Sequence, residues 1–199
     1  VTVVPVPTTA TVGSNQTVCE FGTSAGLGGN TPVNGTGSWG IVSGGTGTFS
    51  NVSTPNATFT HTGGAGPVVL RWSITNAPCA ASTADVSIGI SIPPSTAAAG
   101  GDQSTCVVDA VTLAATSPAI GTGAWSVVSG PSTSNAQFSN TASPSSTFLA
   151  AGGGGAYTLR WTVSNAPCTA TTDDVLITVS EACTYYSRGN GQLTDAIWS

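Results

Sequence analysis

The sequence predicts an all-β protein made of two tandem β-sandwich domains with a strand-like C-terminal tail. Three observations predict it: a composition rich in strand and turn formers, a duplicated string of motifs, and short segments in which apolar and polar residues alternate. The first sandwich is expected at residues 1–92 and the second at 102–180. A short linker is expected at 93–101 and the tail at 181–199.

The composition favours strands over helices. Charged residues make up 6% of the 199 residues, against roughly 25% in an ordinary soluble domain. Val, Ile and Thr, which favour strands, are plentiful, whereas Leu, Glu and Lys, which favour helices, are scarce. The 26 glycines and 12 prolines supply turns.

The charge distribution argues against nucleic acid as a partner, and the lengths of the apolar runs argue against a membrane span. The formal net charge is −5, and the three cations, Arg71, Arg160 and Arg188, are scattered along the chain. No basic patch is expected, and nucleic acid is therefore not an expected partner. No apolar run approaches the roughly 18–20 residues that span a bilayer, so no membrane span is expected.

The duplication is visible in motifs that recur in the same order. Gly35–Trp39 matches Gly121–Trp125, and Leu70–Cys79 matches Leu159–Cys168. The offset is 87 residues at the first cysteine, 86 at the first tryptophan and 89 afterwards. Drift of this size indicates loops of different length in two copies of one domain, and a unit of this size suits a self-contained sandwich.

Alternation within the repeated segments predicts their buried faces. In residues 157–164, Tyr157, Leu159, Trp161 and Val163 share one face, while the residues between them are polar. This period of two is that of a strand with one face in the core. Four tryptophans recur at equivalent points of the two repeats, and we expect them in the cores rather than stacked on sugars: Trp39, Trp72, Trp125 and Trp161.

Four of the five cysteines also recur. Cys19 corresponds to Cys106 and Cys79 to Cys168, which predicts one disulfide in each repeat, Cys19–Cys79 and Cys106–Cys168. Cys183 has no counterpart and is expected to be unpaired or to bond another chain. Disulfides imply an oxidising compartment, so the protein is expected outside the cytoplasm, in the extracellular space or at the cell surface.

Catalytic chemistry is not expected. His61, the only histidine, lies in a strand-to-turn segment without a nucleophile motif nearby, and we expect it to be solvated. The arginines Arg71 and Arg160 are expected on the polar faces of their strands, where they can pair with Asp85 and Asp174. No cofactor is expected, except that calcium could bind carboxylates at a domain end; the candidates are Asp102, Asp109, Asp173 and Asp174.

The complete motif string is Ala-Gly-Gly-Asp-Gln-x-x-Cys, Gly-x-Gly-x-Trp, Phe-Ser-Asn-x-x-x-Pro, Leu-Arg-Trp-x-x-x-Asn-Ala-Pro-Cys and Asp-Asp-Val-x-Ile-x-Val. It resembles the PKD-like, immunoglobulin-type tandem repeats of secreted and cell-surface proteins of Bacteroidota, including adhesins associated with type IX secretion. The order Cys–Trp–Cys is also found in immunoglobulin domains. The resemblance implies an immunoglobulin-like fold, a role as spacer or adhesive module, and no catalytic residues.

These observations together predict a structural or adhesive repeat module of an extracellular bacterial surface protein. Its expected partners are copies of itself, neighbouring surface proteins or glycans. One form of the hypothesis is a head-to-tail filament, in which the strand-like segment Val1–Val6 or Tyr185–Trp198 adds to a sheet edge of the next copy. The alternative is a glycan-binding or accessory module of a larger secreted enzyme, which requires an exposed tryptophan.

Overall fold

The structure, a computed structural model, describes residues 3–181 and is all-β over this range. The first repeat contains β1 (Gln16–Cys19), β2 (Thr36–Ser43), β3 (Thr46–Phe49), β4 (Phe59–Gly63), β5 (Val68–Asn76) and β6 (Cys79–Ser91). The second contains β7 (Gln103–Cys106), β8 (Val111–Thr112), β9 (Thr122–Ser129), β10 (Thr147–Phe148), β11 (Gly155–Ser164) and β12 (Thr171–Ser180). A single 3₁₀ turn spans Asn135–Gln137, and no helix of the described range is long and apolar enough to cross a membrane.

Each repeat has a four-stranded sheet with the same topology. The strand order is β1-β6-β5-β2 in the first and β7-β12-β11-β9 in the second. Strand β1 runs parallel to β6, and β7 runs parallel to β12. The other neighbouring strands in each sheet are antiparallel. A two-stranded sheet accompanies each of them, β3 with β4 and β8 with β10. The protein is therefore two tandem immunoglobulin-like β-sandwiches.

The central strands bury one face, as the alternation predicts. In β5 the side chains of Val68, Leu70, Trp72 and Ile74 are fully buried, and the residues between them are not. Strand β11 repeats the pattern with Tyr157, Leu159, Trp161 and Val163. Because successive side chains of a strand point to opposite sides, this parity places every second residue in the core.

The buried side chains form two separate cores. One contains Leu27, Trp39, Phe59, Leu70, Trp72 and Ile88, all from the first repeat. The other contains Leu113, Trp125, Phe148, Leu159, Trp161 and Ile177, all from the second. The two clusters share no residue, so each sandwich has its own hydrophobic core.

The motif Gly-x-Gly-x-Trp is explained by the packing of its tryptophan-bearing strand. Gly35 adopts a φ of +98°, a left-handed conformation that favours glycine. Gly37 lies directly against the indole ring of Trp72 on the neighbouring strand, and a Cβ atom there would collide with the ring. Gly121, with a φ of +92°, and Gly123, against Trp161, repeat both features.

The prediction that His61 is solvated is wrong. It is 1% exposed and lies on β4 two residues after the buried Phe59, so the strand's alternation directs it inward. Its Nδ1 atom accepts a hydrogen bond of 3.4 Å from the backbone N–H of Phe21.

Candidate functional site at the domain junction

The disulfide pairing predicted from the sequence is wrong. Cys19 is bonded to Cys168, 149 residues further along, so the bond joins the first repeat to the second. Neither Cys19–Cys79 nor Cys106–Cys168 forms. Cys79 is a free thiol, whereas Cys106 is itself disulfide-bonded. Cys183 lies outside the described residues.

The topology of the first repeat explains why its two cysteines do not pair. Cys79 begins the 13-residue strand β6, whereas Cys19 lies opposite Ser91, the last residue of that strand. At about 3.3 Å per residue, the two cysteines are roughly 40 Å apart. A disulfide needs Cα atoms within about 7 Å of each other. In the second repeat Cys106 likewise lies opposite Ser180 at the end of β12, while Cys168 precedes the start of β12.

The same topology brings Cys19 and Cys168 together. Cys19 lies at the end of the first repeat where the chain leaves it, beside Ser91. Cys168 lies in the turn between β11 and β12, at the end of the second repeat where the chain arrives. The sulfur of Cys168 is 3.5 Å from the carbonyl oxygen of Ser91. The Cα atoms of the bonded pair are 4.8 Å apart.

Hydrogen bonds around the disulfide also cross the junction. The side-chain amide of Asn165 donates to the carbonyl of Ile92 at 2.8 Å. The hydroxyl of Ser91 donates to the carbonyl of Ala166 at 3.4 Å. The turn sequence Asn-Ala-Pro-Cys of the second repeat therefore contacts the last residues of the first repeat through Asn165, Ala166 and Cys168.

The segment expected to be a linker is packed into the second repeat. Ser95 donates its N–H to the carbonyl of Ile120 at 3.0 Å, and its own carbonyl accepts the hydroxyl of Thr171 at 2.7 Å. Ala97 and Ala99 belong to the second core. The length of chain that is not attached to either sandwich is accordingly short, and the junction is held on both sides.

The carboxylates of three of the four candidate calcium ligands, Asp102, Asp173 and Asp174, are engaged by local contacts. Asp173 accepts the N–H of Ala99 at 2.7 Å, and Asp102 accepts the N–H of Leu176 at 2.9 Å. Asp174 faces Arg160, and Asp109 lies in the turn after β7, where its N–H donates to the carbonyl of Cys106. Within residues 3–181, no three His, Cys, Asp or Glu side chains are grouped as a metal site would require. Calcium binding stays a prediction from the sequence.

Two arginine–aspartate pairs lie on the outer faces of the large sheets, as predicted. Arg71 donates through Nε and Nη2 to the two carboxylate oxygens of Asp85, at 2.7 Å each, and Arg160 does the same to Asp174 at 2.7 and 2.8 Å. The hydrogen bonds from arginine, together with its positive charge, lower the pKa of Asp85 and Asp174. The same hydrogen bonds and the negative charge of the aspartate raise the pKa of each arginine. Because these groups are well exposed, the pairs contribute little to stability.

The repeated tryptophans offer no surface for a ligand. Trp39, Trp72, Trp125 and Trp161 are between 0% and 4% exposed. Each ring packs on its partner across adjacent strands, with centroids 5.2 Å apart in the first repeat and 5.1 Å apart in the second. The fifth tryptophan, Trp198, lies outside the described residues.

Comparison with known proteins gives matches among solved structures. Neither a protein-family model nor a curated protein matches the sequence. Extracellular domains 3–5 of Drosophila OTK are 12% identical over 86% of this chain and 62% of that chain, with a TM-score of 0.49. Immunoglobulin domains 1–4 of Sidekick-1 are 13% identical over 88% of this chain and 50% of that one, also at 0.49. The insect immune protein hemolin is 10% identical over 87% and 47%, at 0.44. The chain thus spans about half the length of hemolin and Sidekick-1 chains.

Proposed function

We propose that this chain is a structural, adhesive repeat module of an extracellular surface protein, in which successive immunoglobulin-like domains are covalently fastened at their junctions. The observation that carries the proposal is the disulfide between Cys19 and Cys168, which joins two domains with separate cores. The resemblance of the motif string to repeats of secreted bacterial proteins extends the proposal to a bacterial cell surface.

The junction has the properties that a spacer requires. Domains joined by a single strand of chain move relative to each other by default unless their interface is extensive. Here a second covalent connection and the hydrogen bond from Asn165 to Ile92 restrict that motion. A module of this kind holds whatever it carries at a fixed distance and direction from its anchor.

The surface and core support a role without catalysis. The single histidine, His61, is buried, and its Nδ1 atom is engaged by the backbone of Phe21. The described carboxylates of Asp85, Asp102, Asp173 and Asp174 are engaged by arginines or backbone N–H groups. These contacts fit a structural protein whose polar groups stabilise strands.

Assembly into a head-to-tail filament is the most specific form of this proposal. Strand β2 is an edge strand of the first sheet and carries the exposed Ile41 and Val42, to which a strand of another copy could add. The segment Tyr185–Trp198 is the donor that we propose. It lies outside the described residues. Deletion of residues 184–199 should abolish assembly seen by electron microscopy, and polymers of unchanged length would contradict this form of the proposal.

The glycan-binding alternative gains no support from the described tryptophans, since all four are buried. Quenching of tryptophan fluorescence by iodide tests it directly. Because the four described tryptophans are buried, a Trp198→Phe variant, which keeps only these four, should show almost no quenching. Strong quenching in that variant would favour the alternative.

Small-angle X-ray scattering tests the proposed function. We expect the oxidised chain to fit a single arrangement of the two domains, and a Cys19→Ser/Cys168→Ser variant to require a broader set. The matched control is Cys79→Ser, which removes a thiol without touching the junction. The proposal fails if the oxidised wild-type chain itself requires many domain orientations, or if the double variant scatters identically.

A further inference from the structure

The turn between β5 and β6 of the first repeat reproduces the turn that holds the junction. In the second repeat, Asn165 donates to the carbonyl of Ile92 at 2.8 Å. In the first repeat, Asn76 donates to the carbonyl of Pro5 at the same distance. The sulfur of Cys79 is 3.7 Å from the carbonyl oxygen of Val4, as the sulfur of Cys168 is 3.5 Å from that of Ser91.

The chain leading into each repeat also follows the same course. Thr8 donates its N–H to the carbonyl of Asn34 at 3.0 Å, as Ser95 does to Ile120. The N–H of Ala10 donates to the hydroxyl of Ser82 at 2.9 Å, as Ala97 does to Thr171 at 3.0 Å. Residues 4–10 of the first repeat therefore occupy the places of residues 91–97 of the second.

This correspondence makes Val4 the equivalent of Ser91, the residue that lies beside the disulfide. Ser91 ends the last strand of the first repeat, lies opposite Cys19 and accepts the N–H of Glu20 at 2.7 Å. The sequence agrees over three residues, because Val1-Thr-Val3 has the alternation of Ile88-Gly-Ile90 and of Ile177-Thr-Val179, and Val4 takes the position of Ser91 and Ser180. Residues 1–4 thus have the sequence of the end of a last strand, and in this design a last strand is paired with a first strand that ends in cysteine.

We propose that Cys79 forms a second interdomain disulfide with the cysteine that ends the first strand of a preceding repeat in the same polypeptide. We call Cys79 the acceptor of this bond and the cysteine of the preceding repeat its donor. Val4 would then end that repeat's last strand, as Ser91 ends the last strand of the first repeat. Cys79 would then be bonded to the donor cysteine in the same way as Cys168 is bonded to Cys19. The inference deepens the proposed function by naming the neighbour, and it rests on that function only in assuming a tandem array.

Other occupants fit the structure less well. In a separate second copy, Cys19 is already bonded to Cys168 and Cys106 is also in a disulfide, so Cys79 is the only described cysteine that offers a thiol. A preceding repeat would instead place its cysteine next to Val4, which is already within 3.7 Å of the Cys79 sulfur. The local concentration of a donor on the same chain is also far higher than that of a separate molecule.

The bond would form by thiol–disulfide exchange with a small-molecule or protein disulfide as the oxidant. One of the two cysteine thiolates attacks the oxidant and releases one of its sulfurs as a thiolate. The second cysteine thiolate then attacks the mixed disulfide and releases the other. Two protein thiols are oxidised to one disulfide, the oxidant is reduced to two thiols, and the two protons leave with the products.

A chain with a duplicated repeat tests the inference. A copy of residues 1–87 is placed directly before Val1. In the extended chain, residues 1–4 therefore follow the copied residue 87, as residues 88–91 follow residue 87 in the original chain. The copy carries Cys79→Ser to remove its own acceptor and Thr17→Ser, at an exposed position, to mark its Cys19 peptide by mass. The chain is folded in a mixture of reduced and oxidised glutathione, alkylated with iodoacetamide, digested with pepsin and mapped by mass spectrometry without reduction.

We expect the marked Cys19 peptide to be linked to the original Cys79, in the same molecules that contain the original Cys19–Cys168 disulfide. The latter bond reports that the chain has folded. The matched control adds Cys19→Ser in the copy, after which Cys79 should be alkylated while Cys19–Cys168 persists. The inference is overturned if Cys79 of the extended chain is alkylated, bonded to glutathione or bonded to a second molecule while Cys19–Cys168 is intact. Scattering by the 199-residue chain is unaffected by these outcomes, so the proposed function stands or fails separately.

Discussion

Trp39 and Trp72 lie directly opposite each other on the adjacent strands β2 and β5, and their rings pack together in the first core. The indole N–H of Trp39 donates to the carbonyls of Thr54 and Pro55, and that of Trp72 donates to Asn30. The pair thereby ties the loops of the sandwich to its large sheet. Its counterpart in the second repeat has the same register.

Truncation of one tryptophan of this pair should destabilise the first sandwich without destabilising the second. Trp72→Ala removes a fully buried ring, which typically costs about 3–5 kcal/mol. Because the cores are separate, we expect the first sandwich to lose stability in urea while the second keeps its own transition. The control is Val33→Ala at a side chain that is 88% exposed. A loss of stability shared equally by both sandwiches would contradict the separation of the cores.

Enlargement of Gly37 should be costly, because a Cβ atom there would collide with the ring of Trp72. We expect Gly37→Ala to lower the free energy of unfolding by about 1–3 kcal/mol, the usual range for overpacking. Gly40, on the same strand, has open space around its Cα and is the matched control. Gly40→Ala should change stability by no more than a few tenths of a kcal/mol, as is typical of surface changes. Equal effects of the two variants, measured by urea unfolding, would show that the ring contact is not what requires glycine.

Removal of the interdomain disulfide should destabilise both sandwiches together. The bond closes a loop with a sequence separation of 149 residues, and the chain-entropy model gives about 5 kcal/mol for a loop of that length. We expect Cys19→Ser/Cys168→Ser to unfold at lower urea concentration than wild type, and Cys79→Ser to remain close to it. A double variant as stable as Cys79→Ser would contradict a stabilising role for the junction.

The arginine–aspartate pairs give a specific dependence on pH. Since pairing lowers the pKa of Asp85 and Asp174 below the unpaired value of 3.8, their contribution is complete above that value. It is lost as the pH falls through the lowered values, because the carboxylates become protonated. We therefore expect Asp85→Asn/Asp174→Asn to be slightly less stable than wild type at neutral pH and equal to it well below pH 3.8. A difference that does not change with pH would show that the pairs act through shape alone.

The fold could be predicted from the sequence because its signals are local and repeated. The alternation in Leu70–Ile74 and in Tyr157–Val163 fixes which side chains are buried, since strand parity leaves no third choice. The register between β5 and β6 places Arg71 opposite Asp85, which their matching positions on polar faces already suggested. His61 obeys the same parity as Phe59, and applying that rule to a polar residue would have predicted its burial.

The disulfide pairing could not be predicted from duplication alone. Two matched pairs of cysteines fit bonds within each repeat and bonds between neighbours equally well. The choice depends on which ends of the sandwich the cysteines occupy. That placement follows from the parallel pairing of β1 with β6, a long-range contact that leaves no periodic signal in either segment. In the structure, residues 4–10 and 91–97 follow the same path and make equivalent hydrogen bonds, which indicates that the junction itself repeats.

The bond between Cys19 and Cys168 also determines how the protein responds to being pulled at its ends. Tension entering near residue 4 follows the backbone to Cys19, crosses the sulfur–sulfur bond and leaves along the backbone after Cys168. Residues 20–167 lie outside this path, although they form most of both sandwiches. At about 3.5 Å per extended residue, roughly 500 Å of contour is thereby withheld while the bond is intact. Reduction releases it, so the redox state of one pair of sulfurs sets whether this segment behaves as a nearly inextensible link or as a long, extensible tether.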